Sequence, residues 1–67
     1  MIISINSETV NIPSDIITVA DLASSRNIPV KGTAIAINGK IVKADKWEVT
    51  RLNDNDTLMI ISAAYGG

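Results

Sequence analysis

Cysteine, histidine and phenylalanine are absent from this sequence, and tryptophan and tyrosine occur once each. Without cysteine or histidine there is no disulfide to staple a small fold and no ligand set for a structural zinc. The same gaps remove the usual general base near neutral pH and the strong thiolate nucleophile. The missing cysteine leaves the redox compartment open. No apolar run approaches the roughly 18 residues that a membrane helix needs, and no basic start precedes an apolar stretch as in a leader. The expectation is a soluble, cytoplasmic protein. A concentrated basic face is also missing. The net charge is −1, and the cations Arg26, Lys31, Lys40, Lys43, Lys46 and Arg51 are spread along the chain, which argues against nucleic acid as a partner. Lys40, Lys43 and Lys46 interleave with Asp45 and Glu48, the pattern of a solvated mixed-charge surface.

What is abundant is branched aliphatic material. Twelve isoleucines and five valines among 67 residues lean toward strands, where such side chains pack on a pleated surface. A chain of this length makes one domain, since it buries only about 60% of the surface its unfolded state exposes.

Met1, Ile3 and Ile5 alternate with Ile2, Ser4 and Asn6, the period of a half-buried strand. After the polar break Asn6-Ser7-Glu8, Val10 and Ile12 resume the alternation until Pro13 ends it, so the two segments predict a hairpin. Thr18 precedes Val19, Leu22 and Ala23, a stripe at helical spacing. Thr18 and Asp21 form a short-armed capping box, and Asn27 and Pro29 stop the helix. A third strand, Thr33 to Ile37, ends at Asn38-Gly39, the dipeptide suited to a tight hairpin turn, and Ile41-Val42 pairs back. From Lys43 to Leu52 the pattern is irregular, with Trp47, Val49 and Leu52 as apolar anchors and at most one helical turn. Asn53-Asp54-Asn55-Asp56 is a run of turn formers, and Leu58 to Ile61 is the last strand.

This order predicts an α+β fold, a mixed sheet of four to five strands with one helix on one face and the first and last strands parallel at its centre. It looks like the β-grasp, or ubiquitin-like, fold. Residues 1–61 are expected to form the domain and residues 62–67 a flexible C-terminal tail. Met1, Ile3, Ile5, Val10, Ile12, Val19, Leu22, Leu58 and Ile60 are the expected core. The same alternation turns Ile2, Met59 and Ile61 to the uncovered face, a candidate partner-docking surface.

No catalytic constellation is visible. Asp54 and Asp56 stand in a turn, Asp15 and Asp21 at a helix start, and Gly32 and Gly39 match no phosphate-loop spacing. The unusual feature is the end, Ser62-Ala63-Ala64-Tyr65-Gly66-Gly67. At an average glycine usage of about 7%, a closing pair arises by chance in about 0.5% of chains. Residues without Cβ can thread extended through a channel too narrow for side chains.

Ala34-Ile-Ala-Ile-Asn-Gly-Lys-Ile-Val42 followed by Trp47, and Leu52-Asn-Asp-Asn-Asp-Thr-Leu-Met-Ile-Ile61 before Gly66-Gly67, resemble the sulfur-carrier family of thiamin thiazole synthesis, the ThiS family, over essentially the whole chain. The resemblance implies a protein co-substrate with no bound cofactor rather than an enzyme. Gly67 would be the modified residue, with Gly66 and Tyr65 entering a partner's tunnel. The implied partners are a ubiquitin-activating-like adenylyltransferase that uses ATP, a cysteine-persulfide enzyme as sulfur source, and thiazole synthase as acceptor of the thiocarboxylate sulfur. Tyr65 is bulkier than the family tends to carry there. Three other readings stand beside this one: the small subunit of molybdopterin synthase, a ubiquitin-like modifier of lysines, and a ubiquitin-like binding module with an inert tail.

Overall fold

The computed structural model describes residues 1–62, and Ala63 to Gly67 lie outside the described residues. The elements are β1 (Ile2–Ile5), β2 (Glu8–Asn11), α1 (Val19–Ser25), β3 (Thr33–Ile37), β4 (Lys40–Val42), a 3₁₀ turn (Ala44–Lys46) and β5 (Thr57–Ser62). The strands form one sheet in the order β2-β1-β5-β3-β4. β1 and β5 are parallel, with Ser4 opposite Thr57, and every other pair is antiparallel. The expected architecture is therefore present with all five strands. β5 runs one residue past the expected domain boundary, because Ser62 still pairs with Thr33.

The turns follow from their asparagines. In the second hairpin, Asn38 and Gly39 adopt φ of 51° and 87°, leaving Ile37 opposite Lys40 as a two-residue primed turn requires. In the first, Asn6 and Ser7 both have positive φ. The cost at Asn6 is offset by its carboxamide, whose Nδ2 donates to the Ile60 carbonyl while Oδ1 accepts from the Ile60 N–H. The first turn is thereby tied to β5.

α1 opens on the expected box. Thr18 Oγ1 accepts from the Asp21 N–H at 3.1 Å, and Asp21 Oδ2 accepts from the Thr18 and Ile17 N–H groups at 3.0 Å each. Bonds from Thr18 and then Ile17 hold the Asp21 carboxyl below its ordinary 3.8. A depressed folded-state value means that this contribution is complete above the ordinary value and is lost as pH falls through the lowered one. Asp21→Ala should lower the melting temperature at neutral pH, with the variant and parent converging in strong acid; a constant gap across the acid limb would contradict the cap.

The helix has seven residues, too few to persist alone. Its first N–H groups lack intrahelical partners, and the irregular crossing supplies them: Val19 donates to the Thr50 carbonyl and Ala20 to that of Trp47. The Leu52 N–H returns a bond to the Ile17 carbonyl. At the other end Asn27 is left-handed at φ 56°. Its N–H bonds the Ser24 carbonyl, and the Ile28 N–H bonds that of Ala23, the paired closure that ends many helices.

The core lies between helix and sheet: Ile3, Ile5, Ile12, Val19, Leu22, Ala23, Ile35, Trp47, Leu52 and Leu58. Three expectations need correction. Met1 is 39% exposed; it precedes the first strand, and only its backbone joins the sheet, pairing with that of Ile12 at the open end of the hairpin. Val10 and Ile60 pack on the core only in part. Val49 is 72% exposed, since the turn after Trp47 points it away while the Trp47 indole N–H donates to the Val42 carbonyl at 3.0 Å. Ile35 was not among the expected core residues, and it is the β3 side chain opposite Ile60 and Val42 on the helix face.

Candidate functional site

β5 sits between β1 and β3, so the chain enters its last five residues directly from a central strand. Tyr65, Gly66 and Gly67, the expected site of chemistry, lie outside the described residues. What the described residues define is the platform from which they depart.

On the face away from α1, the register aligns a stripe of apolar side chains. Ile61 stands opposite Ala34, Met59 opposite Ala36, and Ala36 also opposite Ile41. Met59 is 53% exposed, Ile61 58% and Ile41 72%. Small Ala34 and Ala36 leave the three larger side chains standing proud of the sheet. Ile2 is also exposed but does not join them. With Ser4 level with Thr57, Ile2 falls level with Asn55, four residues from Met59, or about 13 Å along the strand. Of the three expected docking residues, the register brings Met59 and Ile61 together and leaves Ile2 at the far end. Ile41 takes the vacant place, and the Asn38-Gly39 turn was the signal for it, since that turn dictates which residue opposes Ala36.

The Asp54 and Asp56 carboxylates serve the turn before β5. Asp54 Oδ1 accepts from the Ile2 N–H at 2.8 Å, and Asp56 Oδ2 from the Asn53 N–H at 2.8 Å. Buried Asp56 also accepts from Asn38 Nδ2, while Asn38 Oδ1 accepts from the Thr57 N–H. These bonds fasten the start of β5 to β1 and to the β3-β4 turn, which fixes the register of the outer stripe. Removing Asn38 by Asn38→Ala strips Asp56 and Thr57 of partners, with an expected cost of about 1–3 kcal/mol in chemical denaturation; an unchanged midpoint would deny the network this role.

On the helix side, where β5 ends, a cavity of about 290 Å³ is walled by residues of the α1 closure and by the last rungs of β3 and β5, among them Arg26, Thr33 and Ser62. Among the described residues, no group of acidic, histidine or cysteine side chains is arranged to hold a metal ion, and no helix is long and apolar enough to cross a membrane.

Two solved structures share this arrangement, both of a thiamine biosynthesis protein from Geobacter metallireducens. The crystal structure, of the protein named ThiS, superposes with a TM-score of 0.82 at 16% identity, covering 92% of this chain and 93% of that one. The solution structure gives 0.76 at 16% identity, covering 91% and 81%. At that identity the likeness establishes the β-grasp fold. No curated protein matches the chain. The sequence model of the ThiS family matches residues 2–67, from the first strand through the terminal glycines, and the chain belongs to the ThiS family.

Proposed function

We propose that this chain is a sulfur carrier in thiamine biosynthesis, a protein co-substrate whose reacting group is the Gly67 α-carboxylate. The observation that carries the reading is the family match, which runs through Gly66 and Gly67. In the first step a carboxylate oxygen attacks the α-phosphorus of ATP in a ubiquitin-activating-like partner, and pyrophosphate leaves. The resulting acyl adenylate has AMP as a good leaving group, which the free carboxylate lacks. A persulfide sulfur, which must come from a partner because this chain has no cysteine, attacks the acyl carbon and AMP departs. A thiol then reduces the acyl disulfide, leaving a thiocarboxylate that passes its sulfur to thiazole synthase. Gly66 and Tyr65 are the residues that follow Gly67 into the partner's tunnel. The chain itself supplies positioning, not catalysis.

The docking surface belongs to this proposal. Met59 and Ile61 lie on β5, the strand that leads to the tail, with Ile41 of β4 beside them across β3, so a partner gripping this stripe would hold the tail at a fixed starting point. Met59→Asp places a charge within that apolar contact and should weaken binding to the adenylating partner by about tenfold or more, with melting unchanged. Ile2→Asp, about 13 Å away along the strands, should cost far less. Equal losses for the two variants, or none for Met59→Asp, would remove the stripe from the interface. The direct test of the function is a reconstituted activation reaction followed by intact mass.

A further inference from the structure

The cavity at the end of β5 has features that packing alone does not explain. Thr33 and Ser62 face each other across β3 and β5, both line the cavity, and both hydroxyl oxygens are buried with no hydrogen-bond partner among the described residues. Orphaned buried hydroxyls are uncommon in folded proteins and call for a missing partner. Arg26 and Asn27, brought to the wall by the left-handed closure of α1, are further donors, and Arg26 is the one ionised side chain among the described residues that line it. Among the described residues no carboxylate lines the cavity to compete for these donors. Asn6 lines it too, but both ends of its carboxamide are committed to the Ile60 backbone. Ile28 and Ile60 supply an apolar wall, and the volume is near the lower end of small-ligand pockets, about 300 Å³.

We propose that this cavity is an oxyanion site at the root of the C-terminal tail, taking the carboxylate or phosphate of a small organic anion. Arg26 supplies the charge, the Thr33 and Ser62 hydroxyls and the Asn27 side-chain carboxamide N–H donate to the oxygens, and Ile28 and Ile60 cover the anion's apolar part. The same chemistry has two sources. One is a free small anion, and the other is the chain's own Gly67 α-carboxylate, since five residues reach about 17 Å and the cavity begins at Ser62. The proposal does not depend on the sulfur-carrier reading, because it concerns residues 26–62 and is read out without any partner.

The test is titration of the isotopically labelled full chain with inorganic phosphate, followed by NMR. Saturable shifts are expected at the amides of Asn27, Thr33 and Ser62 and at the Arg26 side chain. Arg26→Gln should weaken the response about tenfold without moving the melting temperature, and Arg26→Lys should restore part of it. Ser62→Ala should stabilise the free protein slightly, by removing an unsatisfied hydroxyl, yet diminish the phosphate response. A chain amidated at Gly67, which loses its terminal charge, separates the sources. If a free anion is the occupant, native and amidated chains titrate alike. If the occupant is the tail carboxylate, amidation itself shifts these signals and phosphate then binds more tightly. The proposal is overturned if neither chain shows saturable shifts and amidation moves none of these signals, or if Arg26→Gln titrates like the parent.

Discussion

Leu58→Ala is expected to cost about 2–5 kcal/mol, enough to leave the chain barely folded. A core of this size supplies only about 3–5 kcal/mol of net stability, and Leu58 is 1% exposed at the centre of the sheet. It stands opposite Ile37 on β3 and level with Ile5 on β1, so its removal opens a cavity between both neighbouring strands and the helix. There is no disulfide to hold the rest together. Ile60→Ala, two residues on and only half-buried, should cost clearly less. Chemical denaturation of both variants checks the register, and near-parental stability of Leu58→Ala, or a larger loss for Ile60→Ala, would contradict it.

Much of this packing was legible in the sequence, and the reasons differ by segment. Short-range rules placed the capping box, the Asn38-Gly39 turn and the parallel pairing of β1 with β5, because each depends on a few adjacent residues or on chain connectivity. Trp47 and Leu52 were visible as anchors of the crossing, but Val49, just as apolar, points outward. No period runs through Lys43 to Leu52, and the orientation there is set by long-range bonds, such as those from the Val19 and Ala20 N–H groups to Thr50 and Trp47. Met1 was misplaced because alternation alone does not reveal where a strand begins, and Met1 lies just before β1. The outer face shows the same limit. Alternation correctly turned Ile2, Met59 and Ile61 outward, but only the Ser4-Thr57 register shows that Ile2 sits apart and that Ile41 belongs with the other two. The cavity was invisible beforehand, since it depends on the helix closure meeting the ends of β3 and β5.

Adding one residue after Gly67 is expected to lower the rate of adenylation by at least about 10²-fold. The reacting carboxylate would move by a residue length, about 3.3 Å, where a misplacement near 1 Å already costs about that factor. Deleting Gly66 and Gly67 should abolish the reaction. Gly66→Val should impede it by adding a branched side chain where a tunnel expects none. None of these changes should alter melting, because among the described residues the core side chains lie between Ile3 and Leu58, with Ile60 the last to pack on them. An extended chain that kept parental binding to the partner but failed to react would locate the defect in the placement of the carboxylate. One that reacted as fast as the parent would show that the terminal position carries no chemistry.

The central claim, that Gly67 is the substrate, is tested most directly by intact mass of the native chain after incubation with ATP and its cognate adenylating enzyme, before and after a persulfide donor is supplied. The expected result is one AMP attached through the C-terminus, then its loss with one carboxylate oxygen replaced by sulfur. A chain that acquires neither AMP nor sulfur, while the enzyme proves competent on another carrier, would contradict the account.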